Sequence, residues 1–178
     1  ATRILNRLEV VGGELNAFTT KDKTAVYASI VKEYTSRSLE LLTDIVFHSV
    51  FPEREIEREK RVIQEEIEMY LDTPEERIFD EFQDYFFKGH ALGTNILGDK
   101  ASLSQFQRAH LQAFIGRNYK WQDMVFSFVG DVPMNRVVKQ LEKMLPNEGH
   151  LGRRPEREVF QHYTPFHHEL SMRFQQAY

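Results

Sequence analysis

The sequence predicts an α+β fold in which a small antiparallel sheet packs against several helices. The order of the elements supports this, because a β-hairpin, a run of helices, a single strand and a last helix follow one another without the alternation of strand and helix that a parallel sheet requires. The length and composition agree with a globular protein. A chain of 178 residues with 41% apolar and 28% charged side chains is typical of one globular domain, or of one domain and part of another.

The first elements are a short helix and a hairpin. Residues 3–11 carry apolar side chains at helical spacing, and Gly12 follows as the left-handed stop that helices favour. Residues 14–19 and 24–31 are β-rich and alternate in polarity on either side of a polar turn at 20–23. This pattern predicts two antiparallel strands joined by a turn.

Three helices and a loop come next. Apolar spacing predicts an amphipathic helix over 36–50 and a highly charged helix over 53–71. A third helix begins at Pro74, a residue that suits the first helical turn, and ends near Phe87. Residues 89–98 contain three glycines and are therefore predicted to form a loop.

The remaining sequence predicts a helix or a broken pair of helices over 102–116, a central-type strand over 123–129 and a helix from Pro133 to Leu145. Residues 147–168 are rich in Pro, Gly and His and have no periodicity, which indicates a linker. An alternating segment over 169–178 indicates another strand.

These patterns predict the domain organisation. We expect residues 1–146 to form one domain and 147–168 to form the linker that follows it. Residues 169–178 are then either the first strand of a following domain or a strand that completes the sheet.

The charged helix carries the most informative pattern. At about 100° per residue, the apolar side chains from Ile56 to Tyr70 fall on one arc, and Glu59 and Glu66 fall inside it. Both carboxylates are therefore predicted to face the interior, where an ionised carboxylate requires a cation. That cation is either a Lys or Arg side chain across a helix-packing seam or a metal ion, and carboxylate oxygen is an ordinary zinc ligand.

Four segments of the sequence occur in an order that suggests a family. They are GGELNAFTTKDKTAVYASI, a helix that ends in PEREIEREKRVIQEEIEMYLDTP, GHALGTNILG, and a strand that closes on VGD. In this order they resemble the pitrilysin/insulinase family of zinc metallopeptidases, which includes mitochondrial processing peptidase and its bacterial relatives. The resemblance extends over residues 3–145.

The resemblance implies roles for two carboxylates and one strand. In the family, an inverted His-x-x-Glu-His motif on an earlier helix gives two zinc ligands and the general base. Glu66 matches the family's third zinc ligand, and Glu59 matches a second Glu that supports the catalytic site. The strand that matches Asn16-Ala17-Phe18-Thr19 binds extended peptide substrates as an added strand in the family. The alternative for this segment is an ordinary hairpin strand.

The chain departs from the family in one respect, because it contains no His-x-x-Glu-His. The family spacing from Glu66 places that motif before Ala1. We therefore expect a fragment of a zinc-dependent endopeptidase that lacks its first strands and motif helix, has no activity and holds no zinc by itself. The alternative is a non-catalytic family member that acts as a peptide-binding or assembly subunit.

Composition narrows the classes of partner. The absence of Cys excludes disulfides, thiolate zinc sites and cysteine nucleophiles. A net charge of −4 argues against nucleic acid, and no apolar run approaches the roughly 18 residues of a membrane span. The glycine loop is followed by Asp99, which would repel a phosphate.

We expect a soluble bacterial protein of the cytoplasm or periplasm that binds peptide. It would either associate with itself through an exposed sheet edge or pair with a second half-domain.

Overall fold

The computed structural model describes residues 2–145, 157–161 and 163–169. Within these residues the fold is mixed, with helices and one antiparallel sheet of two strands, as the sequence predicts. The elements in chain order are α1 (Thr2–Glu9), β1 (Glu14–Thr19), β2 (Thr24–Ser29), α2 (Thr35–Phe47), α3 (Glu53–Leu71), α4 (Pro74–Phe86), α5 (Lys100–Gln105), α6 (Arg108–Asn118) and α7 (Met134–Met144).

The predicted hairpin is confirmed. All six residues of β1 pair with the six residues of β2 in antiparallel register. The turn is closed by the Thr20 N–H, which donates to the Lys23 carbonyl at 2.8 Å. Gly12 has a φ of 72°, so the predicted left-handed stop after α1 is also confirmed.

The chain divides into two compact units. The first contains the described residues up to Phe51 and from Arg108 to Leu145, and therefore holds the hairpin with α1, α2, α6 and α7. The second contains 52–107 and the described residues from Arg157 to Glu169, and holds α3, α4 and α5.

The core of the first unit lies around α2, which packs against α1, β2 and α7. Leu8, Leu41 and Val137 are fully buried there. Thr43 is buried among them, and its hydroxyl donates to the Leu39 carbonyl at 2.8 Å. This bond within the helix satisfies the one polar group of a side chain that is otherwise surrounded by apolar atoms.

The second unit is organised around α3, which packs against α4 and α5. The helix α5 begins at Asp99, whose Oδ1 accepts the backbone N–H groups of Ala101 at 2.9 Å and Ser102 at 3.0 Å. Asp99 is therefore an N-cap, which fixes the start of α5 where it meets α3.

Residues 157–169 form no regular secondary structure in their described part, but they lie along α4. The ring of Phe86 has its centroid 5.5 Å from that of Phe160 and 5.0 Å from that of Tyr163. The Tyr85 ring has its centroid 4.2 Å from that of His168, and the Tyr85 hydroxyl is 2.8 Å from the His168 Nε2. The described part of the predicted linker is thus packed against a helix, and its role as a connection between domains stays a prediction.

Two predictions are changed by the structure. The helical stretch after residue 100 is a pair of helices, α5 and α6, which resolves the choice between one helix and two. The predicted strand over 123–129 is wrong as an element, because these residues have no strand partner in the described part of the chain. A β-strand is defined by hydrogen bonds to a neighbouring strand, and no described residue pairs with this segment in that way.

Two further predictions concern the last strand and membrane-spanning helices. The strand predicted over 169–178 lies, from residue 170 onward, outside the described residues. In the part of the chain that the structure describes, no helix is both long enough and apolar enough to cross a lipid bilayer.

Candidate functional site

The helix that carries the candidate carboxylates has clear local causes for its two ends. Pro52 precedes α3, and its carbonyl accepts the backbone N–H groups of Glu55 at 2.9 Å and Ile56 at 3.0 Å. Glu53 and Glu55 in the first turn also interact favourably with the positive end of the helix dipole. The helix stops at Leu71, and the Pro74 that begins α4 prevents it from continuing.

One face of α3 packs within the second unit. Ile67 is only 6% exposed, and Ile56, Ile63 and Tyr70 are half-buried on the same side. This face meets α4 and α5. We call it the packed face of α3.

The charged groups at the packed face have partners. Glu68 forms an ion pair with Lys100 of α5, and Lys60 donates to Glu57 at 2.7 Å and to the Ser104 carbonyl at 3.3 Å. These contacts join α3 to the start and the end of α5.

A polar network, which the sequence did not predict, joins α3 to α4 and to the glycine loop. The Tyr70 hydroxyl donates to the Asp80 carboxylate, and the Asn95 side-chain amide donates to the same oxygen at 2.7 Å. Asn95 also accepts the backbone N–H of Leu97 at 2.8 Å. The C-terminal turn of α3, which follows Glu66, is thereby held in place.

The other face of α3 is exposed and carries the two candidate residues. Glu59, Val62, Glu66 and Met69 are all exposed, Met69 to 69%. Their spacing of three, four and three residues places them in one stripe along the helix. We call it the open face of α3. Glu59 and Glu66 are two turns apart on it, which corresponds to about 10 Å along the helix axis.

The prediction that Glu59 and Glu66 face the interior is therefore wrong for this chain. The helical wheel identified the apolar side correctly, but the apolar arc is wider than the surface that α4 and α5 cover. The alternative of a salt bridge across a packing seam is not observed either. Neither carboxylate has an ion pair or a hydrogen bond with any residue that the structure describes.

The described residues do not form a complete zinc site. A catalytic zinc ion requires three protein ligands and an open position for water. No group of three His, Asp or Glu side chains with suitable geometry exists in residues 2–145, 157–161 and 163–169. Among these residues Glu66 can supply one carboxylate ligand and no more, which is too few to hold a catalytic zinc ion.

The strand β1 offers a second candidate site, at the edge that faces away from β2. Since Thr20 donates to Lys23, the register makes Ala17 and Val26 a pair that exchanges no hydrogen bond. The N–H and C=O of Ala17 therefore point to the outer edge of β1. Among the described residues no strand occupies this edge.

The side chain of Asn16 contacts this edge. Its Oδ1 accepts the backbone N–H of Ala17 at 2.8 Å. The whole segment Asn16-Ala17-Phe18-Thr19 is exposed. A peptide that pairs with β1 would have to displace this local hydrogen bond, which costs little at an exposed site because water can replace the partner.

Two residues outside the candidate site have structural roles. The Ser102 hydroxyl, together with the backbone N–H groups of Ser102 and Ala101, lowers the pKa of the Asp99 carboxyl below its ordinary value. His90 accepts the Leu92 N–H at 3.1 Å, and its other ring nitrogen is 3.2 Å from the Glu158 carbonyl. The cap at Asp99 could have been found in the sequence, because Asp directly before a helix is a strong N-cap signal.

Comparison with known proteins identifies the family. The family model described as Insulinase (Peptidase family M16) matches residues 1–100. An uncharacterized zinc protease of Rickettsia bellii is 33% identical over 144 residues, which make up 81% of this chain and 35% of that protein. The fold and the sequence thus define a member of a peptidase class. The chain belongs to the insulinase family, peptidase family M16, which confirms the resemblance found in the sequence.

Solved structures agree with the fold. A protease from Helicobacter pylori superimposes with a TM-score of 0.81 at 19% identity, over 92% of this chain and 40% of that one. The inactive domain of a peptidase M16 from Pseudomonas fluorescens gives a TM-score of 0.74 at 21% identity, over 87% of this chain and 39% of that one. The chain spans about a third of the length of the curated relative that it matches.

Proposed function

We propose that this chain is part of a zinc-dependent endopeptidase that hydrolyses peptide bonds in extended peptides. In this proposal Glu66 is the third zinc ligand, and Glu59 supports the site by orienting neighbouring groups. The two His ligands and the general base come from an inverted motif elsewhere in the longer protein. The chain is then an incomplete half-domain without its first strands and motif helix, and it has no activity by itself.

The observation that supports this proposal most strongly is the open face of α3. Two carboxylates of one helix lie in one stripe and form no ion pair with any described residue, while Lys60 and Glu68 at the packed face are paired. Exposed carboxylates beside apolar side chains are suited to a surface that another element covers and a cation neutralises. The Rickettsia bellii relative, which is 33% identical, is named a zinc protease, and this agrees with zinc as that cation.

The experiment uses the longer protein that contains this chain. Glu66→Gln keeps the size of the side chain and removes the charge, so we expect zinc content, measured by plasma mass spectrometry, to fall together with cleavage of a quenched fluorescent peptide. Glu65→Gln is the matched control, because Glu65 is exposed on the same helix but lies about 100° away from Glu66. If zinc content and hydrolysis both survive Glu66→Gln, the ligand assignment is wrong.

We propose further that the outer edge of β1 at Asn16-Ala17-Phe18-Thr19 binds the substrate as an added strand. The outward N–H and C=O of Ala17 support this, because they offer main-chain pairing to an extended peptide. Ala17→Pro removes the outward donor without removing a bond of the hairpin, and edge positions tolerate Pro.

Fluorescence anisotropy of a labelled peptide tests this edge in the same longer protein. Ala17→Pro should weaken binding at least tenfold, whereas Asn16→Ala should leave it unchanged or strengthen it, because that change frees the Ala17 N–H. Equal affinities for both variants and the unaltered protein would leave β1 as an ordinary hairpin strand.

A second function is a non-catalytic family member that binds peptide or assembles with other subunits. It is favoured by one finding, the fold match to a domain of Pseudomonas fluorescens that is described as inactive. The coding sequence upstream of Ala1 distinguishes the two. A His-x-x-Glu-His motif there supports the peptidase, and a degenerate motif supports the non-catalytic subunit.

A further inference from the structure

The network of Tyr70, Asp80 and Asn95 connects α3 to the two elements that follow it in the second unit. The Tyr70 hydroxyl and the Asn95 amide both donate to the Asp80 Oδ2, and all three side chains are half-buried. Hydrogen bonds to an ionised carboxylate are stronger than those between neutral groups. The network is therefore a firm connection between the end of α3, the helix α4 and the loop 89–98.

The loop holds its part of the network in a fixed orientation. The Asn95 Oδ1 accepts the Leu97 N–H at 2.8 Å, which directs the amide nitrogen to Asp80. Gly93 is buried, and a Cβ at this position would lie 2.9 Å from the Phe87 carbonyl oxygen, closer than real Cβ atoms approach. The loop thus packs directly on the end of α4, and the acceptor that Asp80 offers to Tyr70 is held from the loop side.

Tyr70 lies in the turn of α3 that closes on Glu66. The two residues are four apart, which corresponds to about 6 Å along the helix axis, and in an α-helix the N–H of residue i+4 donates to the carbonyl of residue i. The helix ends at Leu71, and the last turns of helices fray. A contact that holds Tyr70 therefore also holds the turn from which Glu66 projects.

Other polar contacts hold α3 on either side of Glu66, but they differ in burial. Before it, Lys60 is only 14% exposed and donates to the Ser104 carbonyl of α5 at 3.3 Å. After it, Glu68 pairs with Lys100, and both side chains are exposed. Exposed ion pairs contribute little. The bond from Tyr70 to Asp80 is thus the stronger of the two polar contacts that follow Glu66.

A small movement of α3 is enough to matter for a metal ligand. A carboxylate about 6 Å from the helix axis moves by about 1 Å when the helix rotates by about 10°. Ligands of a functional site have to be held within about 0.5 Å of the productive geometry. The hydroxyl of Tyr70 opposes this kind of rotation, because it fixes the packed face of α3 against α4 one turn from Glu66.

We propose that Tyr70 is a positioning residue for Glu66, and that it acts through the last turn of α3 with Asp80 as its acceptor. This inference rests on the proposed function, in which Glu66 is a zinc ligand. Tyr70 is not itself a ligand. Its hydroxyl sets the direction from which the Glu66 carboxylate is presented, so its loss lowers zinc affinity in addition to any effect on stability.

Competition with a fluorescent chelator measures zinc affinity in the longer protein that contains this chain. Tyr70→Phe should raise the dissociation constant for zinc at least about tenfold, the lower end of what outer partners of a zinc site contribute. Tyr85→Phe is the matched control. It removes a hydroxyl of the same unit that lies 2.8 Å from the His168 Nε2 and does not contact α3, so the constant should stay within about twofold. Circular dichroism establishes that both variants are folded.

Two variants of the acceptor separate position from charge. Asp80→Asn keeps an oxygen for the Tyr70 hydroxyl and removes the negative charge, so zinc affinity should stay within about twofold of the unaltered protein. Asp80→Ala removes the acceptor and should weaken zinc binding as much as Tyr70→Phe does. If Asp80→Asn weakens zinc binding as much as Asp80→Ala, the charge of Asp80 acts on the metal and the positioning role is wrong.

Glu66→Gln in the same series distinguishes this inference from the function on which it rests. If Glu66→Gln binds zinc as tightly as the unaltered protein, the proposed function fails and the inference fails with it. If Glu66→Gln loses zinc while Tyr70→Phe binds it as tightly as the unaltered protein, only the positioning role is overturned.

Discussion

The packed face and the open face of α3 contain similar residues but differ in their surroundings. On the packed face, Ile67 is buried, and charged neighbours such as Lys60 and Glu68 have partners on α3 or α5. On the open face, Val62 and Met69 are exposed, and Glu59 and Glu66 have no ionic partner among the described residues. One helix therefore has one side that stabilises the unit and another that no described residue covers.

This difference implies that stability and function can be separated by mutation on a single helix. Changes on the packed face should unfold the second unit. Changes on the open face should leave it folded and act on whatever that face binds. The following predictions test this separation, and they are ordered by the expected change in the free energy of unfolding.

The largest effect is expected for Ile67→Ala on the packed face. Removing three buried carbon atoms leaves a cavity, which costs about 2–5 kcal/mol for an Ile-to-Ala change in a core. Val62→Ala on the open face is the control and should change stability by less than about 0.5 kcal/mol. Urea unfolding followed by circular dichroism measures both, and equal effects would contradict the division into two faces.

A smaller effect is expected for Tyr70→Phe, which removes the hydroxyl that donates to Asp80. A hydrogen bond to a charged group contributes about 1.5–3 kcal/mol, and this one is only half-buried, so we expect a loss of about 1–2 kcal/mol. Tyr163→Phe, which keeps a ring next to Phe86, should have an effect below about 0.5 kcal/mol. Thermal unfolding compares the two variants. If Tyr163→Phe lowers the free energy of unfolding as much as Tyr70→Phe does, the hydrogen bond from Tyr70 to Asp80 does not contribute more than an ordinary tyrosine hydroxyl.

Glu59→Gln and Glu66→Gln should leave the stability of this chain within about 0.5 kcal/mol of the unaltered protein, because both residues are exposed and unpaired in the described structure. Urea midpoints measure this. A loss above 1 kcal/mol for either variant would mean that the carboxylate contributes to packing after all.

The smallest effect concerns pH and the cap of α5, the helix that covers part of the packed face. The pKa of Asp99 is lowered in the folded chain, first by the Ser102 hydroxyl and then by backbone N–H groups. A carboxyl whose folded pKa is depressed contributes stability above its ordinary value of 3.8, and this contribution is lost as the pH falls through the lowered value.

Hydrogen exchange at the amides of Ala101 and Ser102 is the measurement for this cap. Between pH 5 and pH 3 their protection should fall more in the unaltered chain than in Asp99→Asn, because Asn caps helices but does not titrate. An identical loss of protection in both proteins would exclude Asp99 as the cause.

The parts of the fold that depend on local sequence could be predicted. The bounds of α3 follow from its periodicity and from Pro52 and Pro74, and the hairpin follows from two alternating segments that are close in the chain. The segment 123–129 has an equally clear β pattern, but a strand forms only beside a neighbouring strand, and the pattern of one segment does not specify that neighbour.

Glu59 and Glu66 could be selected as candidates from the sequence, but the environment that the structure gives them could not be predicted. The helical wheel placed Glu59 and Glu66 on the apolar side of α3, and the structure places them in one stripe with Val62 and Met69. Their exposure could not be predicted, because a wheel shows which residues share a side and not what covers that side. The network of Tyr70, Asp80 and Asn95 was missed for a related reason, since its members come from three elements.

The packing of residues 157–169 on α4 has a practical consequence for anyone who shortens this protein. Composition suggests a cut near residue 146, where the predicted linker begins. A protein that ends there would lose Phe160, Tyr163 and Phe166. The rings of Phe82 and Phe86 would lose these contacts and become more exposed to solvent. Such a truncated protein would be more prone to aggregate than its net charge suggests, because it exposes more apolar surface. Residues up to 169 should therefore be kept in any shortened form prepared for crystallisation or binding experiments.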